Sequence, residues 1–201
     1  PATLPARPAD PPSRRPPRRV VWGPPRVGPG PGGFGLGTAR CARALGMTGS
    51  GTKRNLEPIE GIGQVAGNNG LPGLLATADA VVNTLPGTPY TETLFNREMF
   101  AAMKPGTVFV NVGRGTVVDE DALLEALDSG QVSYACLDVF AVEPLPRDSL
   151  LWNHPKVMVS PHTSALSAAE NRLIAERFCS NLRTFLNGGD LPHLVDPVHF
   201  Y

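Results

Sequence analysis

The chain has 201 residues, 41% of them hydrophobic, with 18 basic and 18 acidic side chains and therefore no formal net charge. That length and apolar content can bury one core, with room for an appendage. The charge is unevenly spread: residues 1–30 carry six arginines against the single acid Asp10, leaving 12 basic and 17 acidic groups elsewhere, a balance that argues against a nucleic-acid surface.

No stretch approaches the roughly 20 apolar residues of a membrane span. The amino-terminal segment also lacks the apolar run of a signal peptide, so a cytoplasmic location is expected. Cys41, Cys136 and Cys179 are widely spaced in apolar segments. They predict buried free thiols in a reducing compartment, with neither a disulfide framework nor zinc-ligand spacing.

In chain order, the first 31 residues hold 11 of the 22 prolines and show no apolar periodicity, which predicts a disordered or extended segment over 1–29. Val20, Val21 and Trp22 lie early for a strand feeding the glycine loop that follows, and the run at 26–29 ends in Pro29, which a central strand would exclude. Gly30, Gly32 and Gly35, with Gly33 between them, match G-x-G-x-x-G at the start of a helix predicted over 36–45. Such glycines permit a tight turn and let the backbone approach a pyrophosphate at the helix amino terminus. The helix carries Ala39, Ala42 and Leu45 on its apolar side and stops at Gly46.

Residues 48–73 are polar and glycine-rich, with weak strand signals. A strand is predicted over 80–85, then a helix capped by Asn96 and carrying Met99, Phe100 and Met103. After a strand at 108–110, Asp119 caps a helix over 121–128 whose Leu123, Leu124 and Leu127 form the inward stripe and which Gly130 ends. Strands follow at 134–137 and 157–159. Ser167 and Glu170 have the spacing of a capping box for a last helix, with Ile174, Phe178, Leu182 and Phe185 on one face and Gly188 and Gly189 at its end. Short strands alternating with helices, without internal repeats, predict an α/β fold with a mostly parallel sheet and flanking helices.

Arg114, Asp138, Glu143 and His162 each come shortly after an apolar run that reads as a buried strand, so all four are predicted at or beyond strand ends. In an open parallel sheet, ligands bind in the crevice outside those ends. Histidine suits proton transfer because its ordinary titration range lies near operating pH. Each residue also has a plainer reading: a loop histidine, a structural ion pair for Arg114, a turn former at Asp138, a loop carboxylate at Glu143. Ser160, Thr163 and Ser164 beside His162 are not in a nucleophile elbow, and no cluster of ligating side chains suggests a metal.

With the segments at 111–119, 138–144 and 161–162 in this order and spacing, and the glycine motif at 30–35 ahead of them, the chain resembles the D-isomer-specific 2-hydroxyacid dehydrogenases, most closely the glyoxylate/hydroxypyruvate reductase-like branch. The resemblance runs from Gly30 to Tyr201. It implies a Rossmann-like nucleotide-binding domain over 30–163 and, over 164–201, a carboxyl-terminal helix and tail that return to a substrate domain. Family members are longer, with about a hundred preceding residues building most of that domain, so the 201-residue chain alone is expected to show little dehydrogenase activity, because a closed two-domain cleft positions the reactants.

The resemblance implies the roles as well. His162 would be the acid/base for the substrate oxygen. Glu143 would bond the other ring nitrogen, and Arg114 would present its planar fork to the substrate carboxylate. Asp138 would accept from the nicotinamide carboxamide or help hold the ring. Gly30, Gly32, Gly33, Phe34, Gly35, Leu85, Pro86, Thr91, Val112 and Gly113 would line the cofactor. Lys53 and Arg54 follow the expected second strand, where an acid would select NAD(H), so NADP(H) is expected over NAD(H). A small 2-oxo acid substrate and a homodimer are implied too. The C-terminal-binding-protein corepressors share this fold and these residues, which keeps a nucleotide-sensing scaffold open as the alternative, alongside an inactive fragment.

Overall fold

The computed structural model describes residues 19–22, 34–52, 63–192 and 194. Among these residues seven strands form one sheet: β1 (Arg19–Trp22), β2 (Thr48–Thr52), β3 (Gln64–Ala66), β4 (Ala80–Asn83), β5 (Thr107–Asn111), β6 (Val132–Leu137) and β7 (Val157–Val159). Their spatial order is β3-β2-β1-β4-β5-β6-β7, and every pairing is parallel. The chain thus winds outward in one direction from β1 and, beginning at β4, in the other. The reversal between β1 and β4 is the topological switch point, where a doubly wound sheet leaves a crevice at its carboxyl edge.

Among the described residues five α-helices accompany the sheet: α1 (Phe34–Ala44), α2 (Leu71–Leu75), α3 (Arg97–Ala101), α4 (Glu120–Ser129) and α5 (Glu170–Leu186). The caps read from the sequence are formed at two of them. Asn96 accepts from the Met99 N–H at the start of α3, and Asp119 from the Ala122 N–H at the start of α4. Gly130 ends α4 at φ 82°, a left-handed conformation that a Cβ would oppose.

The main core lies on the face of β4–β6 that meets α3 and α4. Val81, Phe109 and Ala135 alternate inward there and meet Phe100, Leu123 and Leu127. Phe95, Phe100 and Phe109 pack ring against ring, with centroids 5.1–6.3 Å apart. On the opposite face, Ala39 and Ala42 of α1 form a smaller cluster that meets Ala80 and Val82.

Several sequence expectations need correction. Residues 19–22, inside the segment expected to be disordered, form an interior strand, because β1 is hydrogen-bonded to β2 on one side and β4 on the other. The glycine-rich passage contains β2 and β3, which pair in the parallel ladder, with Ala66 of β3 also packing against the main core. Leu45 lies past the end of α1 and is exposed, so it takes no part in the buried side on which Ala39 and Ala42 lie. Cys41 and Cys179 are exposed; only Cys136 is partly buried, and burial raises its thiol above the ordinary range.

The capping box also fails. Helix α5 starts at Glu170, so the Ser167 hydroxyl accepts from the Ala169 N–H in a short turn instead of capping the helix. Nor is the β6–β7 end of the sheet buried on both faces: Tyr134 and Met158 are exposed.

No residue of α5 is buried, and Ile174, Phe178, Leu182 and Phe185 all face outward. Phe178→Ser is therefore expected to change the unfolding free energy by no more than about 0.5 kcal/mol in urea, whereas Leu123→Ala in the core costs about 2–5 kcal/mol. A loss above 1 kcal/mol for Phe178→Ser would show that α5 packs on this domain.

Candidate active site at the carboxyl edge of the sheet

The residues singled out by sequence gather at the carboxyl ends of β4, β5, β6 and β7. Strands β4 and β5 each end in a buried asparagine, Asn83 and Asn111, paired across the ladder in register. Asn83 Oδ1 accepts from the Leu85 N–H at 3.1 Å and Asn111 Oδ1 from the Gly113 N–H at 3.2 Å, so each side chain turns the chain out of its strand. Asn83 Nδ2 donates to Asn111 Oδ1 at 2.9 Å, and Asn111 Nδ2 donates to the Arg114 carbonyl at 3.3 Å.

Beyond β4, residues 84–93 form a loop tied by Thr91, whose hydroxyl donates to the Pro86 carbonyl at 2.6 Å and accepts from the Thr88 N–H at 2.9 Å. Thr91 thus shapes the loop from within. Leu85 is 6% exposed and belongs to the main core, while Pro86 and Val112 are half-buried. The Thr84 hydroxyl is buried and has no partner among the described residues.

Beyond β5, the backbone at 113–115 runs close to its neighbours. A Cβ on Gly113 would lie 2.6 Å from the Leu85 carbonyl oxygen, and one on Gly115 would lie 1.8 Å from the Phe140 carbonyl carbon. Only glycine allows that approach, and it presses Arg114 between the β4 loop and the β6 loop. Arg114 is exposed; its Nη1 donates to the Gly113 carbonyl at 2.7 Å, leaving further donors for a ligand.

Asp138 follows β6 directly and is 4% exposed. Its Oδ1 accepts from the Ser160 hydroxyl at 2.5 Å and the Thr163 N–H at 2.9 Å, and its Oδ2 from the Ser164 N–H at 2.9 Å. Burial alone would raise this carboxyl, but the hydrogen bonds from Ser160, Ser164 and Thr163 outweigh it and hold the group down to about 2. Asp138 therefore staples the turn after β7. At the apex of that turn, His162 has φ 56°, a left-handed conformation costing a non-glycine residue roughly 1–2 kcal/mol.

His162 Nδ1 lies 2.7 Å from Glu143 Oε2. Glu143 Oε1 also accepts from the Phe140 N–H at 2.9 Å. Burial pushes the Glu143 carboxyl up, yet the bonds from His162 and Phe140 and the nearby Arg114 charge bring it below the ordinary range. A carboxylate can only accept, so the proton of this pair sits on Nδ1. Among the described residues Nε2 has no protein partner, which leaves that nitrogen to exchange a proton with a ligand.

The structure thus brings Arg114, Asp138, Glu143 and His162 to one edge, with Leu85, Pro86, Thr91, Val112 and Gly113 beside them. Phe34 and Gly35 open α1. Gly30, Gly32, Gly33, Lys53 and Arg54 lie outside the described residues. Sequence reasoning overlooked Asn83, Thr84, Asn111 and the bond from Ser160 to Asp138. The available signal was an asparagine closing each of two adjacent apolar strands, where an aliphatic residue would otherwise continue the run.

A doubly wound parallel sheet with an oriented imidazole and an arginine at its carboxyl edge defines a dinucleotide-binding domain of the dehydrogenase class. Comparison with known proteins agrees. Residues 29–164 match the D-isomer specific 2-hydroxyacid dehydrogenase NAD-binding domain, and the chain belongs to that family.

Over 172 residues the chain is 36% identical to glyoxylate/hydroxypyruvate reductase A of Serratia proteamaculans and 33% identical to that of Yersinia enterocolitica, in each case 86% of this chain and 54% of the relative. The chain therefore spans about half the length of the curated relatives it matches. Among solved structures, a D-isomer specific 2-hydroxyacid dehydrogenase from Xanthobacter autotrophicus Py2, in complex with NADPH and MES, is 38% identical with a TM-score of 0.83, covering 92% of this chain and 73% of that one. The NADPH-dependent glyoxylate/hydroxypyruvate reductase of Sinorhizobium meliloti, in complex with NADP and sulfate, is 34% identical with a TM-score of 0.82, covering 92% of this chain and 57% of that one.

Proposed function

We propose that this chain forms the nucleotide-binding part of an NADP(H)-dependent reductase of small 2-oxo acids, with glyoxylate or hydroxypyruvate as substrate. The observation that carries the reading is the 2.7 Å His162–Glu143 pair, held beside Arg114 at the sheet's carboxyl edge. In this reading Nε2 of His162 gives a proton to the substrate carbonyl oxygen during reduction and takes it back during oxidation. Glu143 keeps the ring in the tautomer and orientation that make Nε2 available. Arg114 forks onto the substrate carboxylate, a planar bidentate task to which lysine is poorly suited.

The nicotinamide, when bound, supplies or accepts the hydride. The switch point suits a dinucleotide: the buried Thr84 hydroxyl at the end of β4 has no partner among the described residues, and Asp138 stands at the same carboxyl edge after β6. Asp138 thus combines the cofactor role implied by resemblance with its stapling of the His162 turn. The three unpaired cysteines fit a reducing cytoplasm, and a homodimer is the assembly the resemblance implies.

The preference for NADP(H) rests on Lys53 and Arg54, which follow β2 where an acid would bond the ribose of NAD(H). Relatives crystallised with NADPH or NADP support it. Fluorescence titration of the purified chain is expected to give tighter NADPH than NADH binding, by about tenfold or more, and Arg54→Ala should weaken NADPH alone. Tighter NADH binding, unaffected by Arg54→Ala, would rule the preference out. Absence of any nucleotide binding would count against the functional reading itself.

A further inference from the structure

We propose that Asn83 and Asn111 are a pair of positioning residues that joins the nucleotide wall after β4 to the Arg114 loop after β5, so that a dinucleotide seated on residues 84–86 also fixes the backbone carrying the guanidinium. The identity of what each loop touches rests on the functional reading above; the connection between the loops rests on geometry alone.

Two asparagines at strand ends could form two unrelated turns, each capping its own loop. Three observations tie them together. The side chains are cross-strand partners in register, both 1% exposed, and Asn83 Nδ2 donates to Asn111 Oδ1 at 2.9 Å. Asn111 then passes the connection on by donating from Nδ2 to the Arg114 carbonyl at 3.3 Å. Finally, the two loops touch through their backbones, since a Cβ on Gly113 would fall 2.8 Å from the Leu85 nitrogen, so residue 85 cannot shift toward Gly113 without pushing on it.

The network also fixes its own orientation. The Leu85 and Gly113 N–H groups each need an acceptor, which points both Oδ1 atoms toward their loops and leaves Nδ2 of each residue to make the onward bond. Turning over either amide would set donor against donor in a site closed to water, where an unmet polar group is expensive.

Asn83→Asp separates the two possibilities, because it keeps the acceptor for Leu85 and removes the donor to Asn111. If the pair is one unit, amide hydrogen exchange in the ligand-free chain should quicken about tenfold at Gly113 and Gly115, beyond any change at the core amides of Phe109 and Leu123, with Leu85 much less affected. Asn111→Asp retains the bonds from Asn83 and Gly113 and loses only the one to Arg114. Its effect should be confined to 114–117, and it provides the test if the first variant does not fold.

With NADPH as the probe, wild-type protection at Leu85 should extend to Gly113 and Gly115, and in Asn83→Asp it should stop at Leu85. Exchange at Gly113 and Gly115 that matches wild type in Asn83→Asp, or that rises only in step with the core amides, would overturn the proposal. Failure of NADPH to protect Leu85 in the wild-type chain would instead count against the functional reading, leaving the ligand-free comparison to decide the connection.

Discussion

Asp138→Ala is expected to lower the unfolding free energy by about 2 kcal/mol at neutral pH and to release the turn that presents His162. The substitution leaves the Ser160 hydroxyl and the Thr163 and Ser164 N–H groups without their shared acceptor. Bonds to a buried charge contribute about 1.5–3 kcal/mol each in favourable cases, but Thr163 and Ser164 are exposed and water can reach their amides, so the total stays near the lower figure. Asp138→Asn should do little better, because an amide nitrogen would then face one of the two N–H donors.

The pH dependence has a definite sign. Asp138 is depressed to about 2 in the folded chain, below the ordinary aspartate value of 3.8 that applies in the unfolded chain. A carboxyl whose folded value is depressed contributes stability that is present above the unfolded value and is lost as pH falls through the folded one. The wild type should therefore exceed Asp138→Ala by a constant margin above pH 5, and the margin should shrink between about pH 4 and pH 2. Urea unfolding across that range reads it directly. A margin that does not depend on pH would mean that Asp138 acts through packing and not through its charge.

Legibility differed along the chain for physical reasons. Helices α3 and α4 announced themselves because Asn96 and Asp119 are caps whose side chains act within three residues, and β5, β6 and β7 because their apolar runs are local signals. Strand β2 gave no such signal: its sequence is Thr48, Gly49, Ser50, Gly51 and Thr52, and it exists because β1 and β3 pair with it on either side. A parallel ladder of that kind is invisible to periodicity. The Ser167 and Glu170 spacing misled for the converse reason, since it is compatible with a capping box but the helix begins at Glu170.

The site divides in the same way. Arg114, Glu143 and His162 could be found because their chemistry is unusual at strand ends. The polar atoms that hold them could not. Asparagine at the end of a strand reads as an ordinary turn former, and nothing local indicates that Asn83 and Asn111 are adjacent across 28 residues of sequence or that Ser160 bonds Asp138 across 22. The left-handed backbone at His162 was equally hidden, because it follows from three bonds made by Asp138 and Glu143 and not from the histidine itself.

With this chain joined to the substrate domain of a relative, the proposed function predicts that His162→Ala lowers the turnover of glyoxylate or hydroxypyruvate by roughly 10²–10⁴-fold, the range for loss of a positioned acid/base. Stability should change little. The side chain is 46% exposed, alanine meets a similar penalty at φ 56°, and Glu143 keeps its bond from the Phe140 N–H. NADPH affinity should also persist, because among the described residues the imidazole is hydrogen-bonded to Glu143 and not to the loop at 84–91 or the switch point. That combination separates His162 from Asp138, whose removal lowers activity by displacing the turn and therefore lowers stability as well. Glu143→Ala should cost less turnover than His162→Ala, and the double variant should be no worse than His162→Ala alone, since Glu143 acts through the ring it orients. Turnover within about fivefold of wild type in His162→Ala, measured with saturating NADPH, would remove the histidine from the chemistry and leave the His162–Glu143 pair as a structural contact at the rim of the crevice.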